Sequence, residues 1–334
     1  MKTKLDKYFR ISQRGSTIGT ELIGGATTFA TMAYILAYMT GAMSAVPGID
    51  LTGVLLCTAL ITAISCIAMG LVANAPIALA PVLVIPNLVA GMVASGEATY
   101  GQAFGTVAIS GIVFLLISVF KLRDLFARSL PKNIKIGIGG AVGLLIASIG
   151  LNTSGLAAAG EDGSFINFSD KSVQLGLIGL AIALLLTYLK ITVNGRTYKI
   201  KGALLISIVL TTIIGIPMGV TVLPENIFTR GALASIGNVA FQVDILGALK
   251  LSFVPFIIML LINDFFGTLG TGLAMAGKAG LLDEDGNFPA FGKVFLVDSS
   301  ATILGSLFGI TTVSCFAESA AGVESGSRTG LSNL

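Results

Sequence analysis

Long apolar stretches recur along the whole chain and are separated by short polar segments. An α-helix needs about 20 mostly apolar residues to cross the roughly 30 Å hydrocarbon core of a bilayer. The pattern therefore predicts an all-α polytopic membrane protein with ten spans and no sizeable soluble domain. The predicted spans are 18–46, 51–72, 75–95, 102–120, 133–151, 172–190, 201–219, 248–275, 291–308 and 309–325.

The composition of the 334 residues supports this pattern, since 54% of them are hydrophobic and 11% are charged. Soluble domains carry about 25% charged residues, and the mean hydropathy here is +0.93, so a water-soluble protein is excluded. The three cysteines lie in apolar segments without a disulfide or metal-ligand spacing, and the chain has no histidine. We therefore predict no metal site, no cofactor and no enzymatic nucleophile–base pair.

Basic residues mark one side of the membrane. Of the 20 Lys and Arg residues, all but Lys171, Arg230 and Lys250 lie in the N-terminal tail or near loops that the predicted spans place on the same side of the membrane as that tail. Positive charge concentrates in cytoplasmic loops. The sequence thus predicts a multi-pass protein of the cell membrane (inner or plasma membrane) with a cytoplasmic N-terminus.

Two acidic residues interrupt predicted spans. Asp264 follows a long apolar run, and Glu318 lies among small and polar residues. A charge at the centre of a membrane helix costs about 2.5–3.5 kcal/mol, so such residues usually face a cavity or a partner and mark a pathway. The alternative is that either carboxylate lies near a helix end and contacts water or a lysine. Three other acids, Asp298, Glu21 and Glu324, lie closer to predicted ends, where we expect structural or capping roles.

Interrupted helices are predicted in two spans. The segment 75–87 holds three prolines, and each proline removes a backbone donor and clashes one turn back. The segment 311–323 is rich in small and polar residues. Irregular backbone at membrane depth is tolerated where protein or a water-filled cavity covers it. Spans three and ten therefore form a matched pair of broken segments, which points to a transporter's binding site near the membrane midplane.

Several motifs resemble one transporter family. They are residues 27–36 in span one, residues 264–271 with 279–286 in and after span eight, and residues 318–323 with 326–331 in and after span ten. These segments resemble the adenine/guanine/hypoxanthine permeases, a branch of the nucleobase–cation symporter 2 (xanthine/uracil permease) family. The resemblance runs through essentially the whole chain.

The resemblance implies a fold of fourteen spans in two inverted seven-span repeats. Spans one to four and eight to eleven would form a core domain and the others a gate domain, with short broken strands in spans three and ten. Residues 1–17 would be a cytoplasmic tail, 18–220 the first repeat, 221–247 a non-cytoplasmic loop and 248–334 a partial second repeat. Because the sequence stops after span ten, the second repeat is expected to be incomplete and the chain truncated.

The resemblance also implies a substrate site between the strands of spans three and ten. Its acids fall on Asp264 and Glu318, and Thr268 follows Asp264 by one helical turn, so it shares the same face. Asn87 would be a further substrate ligand. The segment before it departs from the family pattern, since Val82 and Val84 stand where relatives tend to have glycines, and the asparagine lies one place late.

The expected function is the import of purine nucleobases (hypoxanthine, guanine and adenine) by proton symport. Purines carry N–H donors that carboxylates can accept. Without histidine, an acid must carry the coupled proton, and burial favours the protonated carboxyl form. We expect Asp264 to carry the proton and Glu318 to anchor the base, although the two acids together form the predicted proton-coupling set.

The expected partners are a purine nucleobase, the lipid bilayer and a second copy in a homodimer, with no nucleic acid. Two alternatives stay open from the sequence. One is a truncated membrane fragment that inserts but does not transport. The other is an anion carrier of the same general fold, against which two buried acids argue, because anion sites use helix N-termini and basic residues.

Overall fold

The computed structural model describes residues 4–120, 167–193, 196–199, 203–221 and 231–334, together with isolated positions between 137 and 156. We number the described elements in chain order. The helices are α1 Lys4–Phe9, α2 Ile18–Met32, α3 Tyr34–Met43, α4 Leu51–Ala68, α5 Val84–Ala94, α6 Tyr100–Val119, α7 Lys171–Tyr188, α8 Ala203–Met218, α9 Ile245–Ala248, α10 Val254–Lys278, α11 Phe291–Leu307 and α12 Ser319–Glu324. The strands are β1 Leu79–Pro81, β2 Lys190–Val193, β3 Arg196–Lys199 and β4 Val313–Cys315.

Five helical segments of the described chain are long and apolar enough to cross a membrane. They are Ile18–Met43, Leu51–Ala73, Tyr100–Val119, Lys171–Tyr188 and Leu251–Lys278. Each coincides with a predicted span, and the shorter apolar helices α5 and α8 lie within two more. Helix α11 lies within the predicted span 291–308. The predicted span at 133–151 lies outside the continuously described residues. The prediction of a helical multi-pass membrane protein is confirmed.

Two short strands replace helix in the segments 75–95 and 309–325. Strand β1 pairs antiparallel with β4, with Leu79 opposite Cys315 and Pro81 opposite Val313. Further backbone hydrogen bonds at both ends extend the pairing, from Val82 N to Thr312 O at 2.9 Å and from Phe316 N to Ala78 O at 2.8 Å. Both strands are buried. Their backbone groups satisfy one another, which membrane depth requires.

A cluster of phenylalanines holds α6, α10 and α11 together. The ring of Phe295 lies 5.3 Å from that of Phe114 and 5.2 Å from that of Phe265, measured between centroids. Gly111 of α6 lets α11 approach closely, because a Cβ there would come within 3.0 Å of the Thr302 side chain. These contacts hold α6, α10 and α11 together, and both α10 and α11 also contact β4.

Hydrogen bonds connect the N-terminal tail to the segment that follows α12. The side chain of Asn74, whose φ is +47°, donates to Phe9 O at 2.9 Å and accepts from Gly330 N at 2.8 Å. The carboxylate of the fully buried Glu21 accepts from the backbone N–H groups of Arg328 and Thr329. The structural role predicted for Glu21 is therefore confirmed.

Candidate functional site

Two aspartates meet in the interior. Asp264 belongs to α10 and is 1% exposed, whereas Asp298 belongs to α11 and is fully buried. The capping role expected for Asp298 is wrong, since Asp298 lies two turns inside α11, whereas a structural role, the other expectation, stays a prediction. We call Asp264 and Asp298 the aspartate pair.

Threonine hydroxyls cross between the two helices. Thr268 of α10 donates to Asp298 Oδ2 at 2.7 Å, and Thr302 of α11 donates to Asp264 Oδ2 at 2.9 Å. Each threonine follows the aspartate of its own helix by four residues, so the two share a helix face. The arrangement is reciprocal: each helix supplies one carboxyl group and one hydroxyl donor to the other. Thr268, predicted from the sequence, is present, and Thr302 was missed.

The same two threonines tie the aspartate pair to strand β4. Thr302 Oγ1 lies 2.9 Å from Val313 O and accepts from Val313 N at 3.2 Å. Thr268 Oγ1 lies 2.7 Å from Ser314 Oγ, and either hydroxyl can donate. Thr302 and Thr268 therefore connect the two carboxyl groups to the backbone of Val313 and to the side chain of Ser314 in β4.

One oxygen of each aspartate has no conventional donor. Asp264 Oδ1 and Asp298 Oδ1 are buried without a hydrogen-bond partner among the described residues. No described Lys or Arg side chain forms an ion pair with either group, the described ion pair being Lys278 with Glu324 at the protein surface. Two buried carboxyl groups thus lie without an ion-pair partner among the described residues.

Glu318 lies in a second group, on the chain segment that follows β4. It is partly buried, and its Oε1 accepts from Tyr34 Oη at 2.6 Å. The Tyr34 ring packs near Phe316, with centroids 6.3 Å apart and planes inclined by 36°. We call Glu318, Tyr34 and Phe316 the glutamate–tyrosine cluster. It combines a carboxylate acceptor with two aromatic rings.

Asn87 lies next to this cluster. Its Nδ2 donates to Tyr38 Oη at 2.7 Å, and that hydroxyl donates to Leu83 O at 2.5 Å. Tyr38 follows Tyr34 by one turn of α3, which brings Asn87 and Glu318 to the same side of α3. Asn87 is exposed. Sequence reasoning missed both tyrosines, although their four-residue spacing in the motif at 27–36 and just beyond was a usable signal.

The site residues predicted from the sequence thus fall in two neighbouring groups. Asp264 and Thr268 belong to the aspartate pair and its hydroxyls, whereas Glu318 and Asn87 belong with the tyrosines. Strand β4 connects the groups, because Ser314 contacts Thr268 and Glu318 follows four residues later. Within the described residues, no set of three or more His, Cys, Asp or Glu side chains could hold a metal ion.

The family model Xan_ur_permease, described as Permease family, matches residues 19–331. The chain belongs to this permease family. A permease-family protein of Methanocaldococcus jannaschii is 35% identical over 98% of the chain and 73% of its own length. Adenine permease AdeP of Escherichia coli is 32% identical over 98% of the chain and 71% of its own length. Guanine/hypoxanthine permease GhxP of Escherichia coli O157:H7 is 32% identical over 99% of the chain and 73% of its own length.

Solved transporter structures share the fold. The transmembrane domain of the cyanobacterial bicarbonate transporter BicA superposes with a TM-score of 0.54 at 19% identity, covering 94% of this chain and 78% of that one. SLC26A9 superposes with a TM-score of 0.55 at 14% identity, covering 99% of this chain and 53% of that one. At these identities the likeness concerns the fold alone.

Proposed function

We propose that this permease is a secondary active transporter that imports purine nucleobases by proton symport. Relatives of this permease family are named for adenine and for guanine and hypoxanthine, which supports purines as the substrate class. The observation that carries the proposal in this chain is the glutamate–tyrosine cluster. It offers a hydrogen-bond acceptor beside flat aromatic surfaces, the two features that a purine requires.

In this proposal Glu318 anchors the base. Its carboxylate accepts from purine N–H groups, and Tyr34 orients it by donating to Oε1. Offset or inclined stacking of aromatic rings stabilises a planar ligand, so Phe316 and Tyr34 are suited to contact the purine faces. Asn87 supplies an amide next to Tyr38, from which the ring nitrogens of the base can accept hydrogen bonds.

Asp264 carries the coupled proton in this proposal, and Thr268 completes its surroundings. The chain has no histidine, so a carboxyl group must serve as the proton carrier. Burial disfavours the charged form of a carboxyl group, and Asp264 is 1% exposed without an ion-pair partner among the described residues. The Thr302 hydroxyl bond to Oδ2 holds the group in one orientation.

The proposed architecture has two inverted repeats, one within 18–220 and a partial one within 248–334. The pairing of β1 with β4 supports this division, because each strand lies in the third span of its half and the two run antiparallel. The tail 1–17 is cytoplasmic and the loop 221–247 lies on the other side, in keeping with the distribution of Lys and Arg. In the bilayer the proposed assembly is a homodimer.

The test is uptake of radiolabelled hypoxanthine, guanine and adenine by cells that lack their own purine permeases. We expect saturable uptake that a protonophore abolishes and that Glu318→Gln lowers strongly. Glu324→Gln is the matched control, because Glu324 ends the short helix α12 that Glu318 directly precedes and pairs with Lys278 at the surface.

Two outcomes would contradict the proposal. Equal uptake by the Glu318→Gln and Glu324→Gln variants would remove Glu318 from the binding site. Uptake of bicarbonate but of no purine, by protein that is inserted in the membrane, would replace the proposed substrate class.

A further inference from the structure

We propose that the coupled proton is held jointly by Asp264 and Asp298, shared between their two Oδ1 oxygens. This inference rests on the proposed proton symport and refines it. It assigns a function to Asp298, and it makes the proton carrier a pair of residues on two helices rather than one aspartate. The argument starts from the hydrogen bonds that the two carboxyl groups already have.

The threonine hydroxyls bond to the Oδ2 atom of each aspartate and leave the two Oδ1 atoms without a donor. Each Oδ2 accepts a hydroxyl, from Thr302 for Asp264 and from Thr268 for Asp298. Each Oδ1 is buried and accepts no hydrogen bond within the described residues, and the crossed threonine hydrogen bonds bring the two carboxyl groups close together. Neither oxygen can donate unless a proton is present. One proton between them would form an O–H···O hydrogen bond and satisfy both oxygens at once.

Electrostatics favours the same arrangement. Two like charges that share a buried site cannot both ionise without strong repulsion, so one carboxyl group retains a proton and the two titrate as a unit. Releasing the proton leaves two adjacent negative charges. Such a state is tolerated only when the surroundings change, as they do when a transporter opens its site to water on the other side.

No fixed cation near the pair offsets this repulsion in the described structure. The titratable group that the described structure places beside the pair is the thiol of Cys315 of β4, which is neutral in the thiol form. The sequences of β1 and of the α6 segment packed on α11 contain no Asp, Glu, Lys or Arg. Lys278 is the last residue of α10 and pairs with Glu324, and Lys293 lies in the first turn of α11. With no basic side chain beside the pair in the described structure, a bound proton would lower its negative charge.

Thr302 connects the protonation of the pair to strand β4. Its hydroxyl has one hydrogen and two acceptors at the same distance, Asp264 Oδ2 at 2.9 Å and Val313 O at 2.9 Å. An ionised carboxylate is the stronger acceptor, so loss of the shared proton draws the hydroxyl hydrogen toward Asp264. Gain of the proton frees that hydrogen for Val313 O. Val313 lies on the same continuous segment as Phe316 and Glu318, which links the proton to the base site.

The experiment measures purine binding to the purified full chain in detergent, with hypoxanthine as the probe, as a function of pH. If one proton must be bound with the base, affinity falls tenfold per pH unit above the midpoint of the pair, by linkage. We expect this slope in the wild type and in Asp285→Asn, a control in an exposed loop. We expect binding without the slope in both Asp264→Asn and Asp298→Asn, because an amide in either position cannot share a proton.

A second measurement follows protons directly and does not depend on transport. At a pH above the midpoint of the pair, wild-type protein mixed with hypoxanthine in weakly buffered solution should take up about one proton per bound base, by the same linkage, as reported by a pH indicator dye. The Asp298→Asn variant should bind the base and take up none. Should Asp298→Asn fail to fold, the wild-type infrared spectrum replaces it, since a shared proton gives a carboxylic acid band that is lost in Asp264→Asn with Glu318 intact.

The outcomes separate this inference from the proposed function. If the wild type binds no purine, the proposed function fails. If Asp298→Asn keeps the slope that Asp264→Asn loses, Asp264 acts alone and the shared proton is refuted. If sodium ions increase wild-type affinity while no proton is taken up, the pair binds a metal cation and the inference is overturned.

Discussion

Replacing Thr302 by valine tests the hydrogen-bonded frame around the aspartate pair. Valine keeps the branched shape of threonine and removes the hydroxyl. This hydroxyl contacts Asp264 Oδ2, Val313 O and Val313 N. The matched control is Thr311→Val, because Thr311 is also fully buried, lies two residues before Val313 and has a hydroxyl without a partner among the described residues.

The expected difference follows from the bonds that each hydroxyl makes. A hydrogen bond to a charged group contributes about 1.5–3 kcal/mol, and a stranded buried donor such as Val313 N costs about 1–3 kcal/mol. Hydrogen bonds inside membranes have measured values near 0.6 kcal/mol on average, since the unfolded chain in the bilayer also finds partners. We therefore expect Thr302→Val to lower the free energy of unfolding by about 2 kcal/mol. Thr311→Val removes an unsatisfied polar group and should be neutral or stabilising by up to about 1 kcal/mol.

The chain carries its own reporters for this measurement. Cys57 and Cys315 are buried, so a fluorogenic maleimide reacts with them as the protein unfolds on heating. A loss of about 2 kcal/mol corresponds to an apparent Tm lower by about 3 °C, from the usual unfolding entropy per residue. Thr302→Ser, which keeps the hydroxyl, should recover part of that loss. Equal Tm values for Thr302→Val and Thr311→Val would refute the reasoning, because they would mean that the hydrogen bonds of Thr302 contribute nothing.

Three further changes test other contacts of the fold. Gly322→Ala places a Cβ against the Thr28 hydroxyl and 2.6 Å from Gly24 O, so we expect a loss of about 1–3 kcal/mol from overpacking, seen as a lower apparent Tm. Asn74→Ala removes both side-chain bonds that connect the N-terminal tail to Gly330 and its neighbours, and limited trypsin digestion should cleave the tail faster than in the wild type. Thr99→Ala removes the capping box of α6 and should cost about 1 kcal/mol in the same thermal assay, with purine binding unchanged.

The membrane spans could be predicted from the sequence because their signal is local. A run of apolar residues such as Tyr100–Val119 needs no knowledge of its neighbours to be identified as a helix. The proline pattern at 76, 81 and 86 likewise indicated an interrupted helix from local geometry alone. The pairing of the two interrupted segments could not be predicted in the same way. Strands β1 and β4 are more than two hundred residues apart, and their register depends on how α4, α10 and α11 pack.

Asp298 illustrates where reasoning from the sequence failed. Its position toward one end of predicted span nine favours a structural or capping role, whereas in the structure it lies two turns inside α11 and is fully buried. A usable signal was present: the spacing from Asp264 to Thr268 recurs from Asp298 to Thr302. Each spacing alone is common, and only the packing of α10 on α11 makes the two reciprocal. The tyrosines were missed for a similar reason, because a tyrosine in a membrane helix is ordinary until its hydroxyl is found on a carboxylate.

Glu21 and the aspartate pair are both buried but differ in how their carboxyl oxygens are hydrogen-bonded. Burial alone would assign them the same role. The two oxygens of Glu21 accept the backbone N–H groups of Arg328 and Thr329, and these bonds connect α2 to the segment after α12. The Oδ1 atoms of Asp264 and Asp298 accept no hydrogen bond within the described residues. A proton added to Glu21 would have to compete with these backbone donors. A proton added between the two aspartates, as proposed above, would instead supply the donor that their Oδ1 atoms lack.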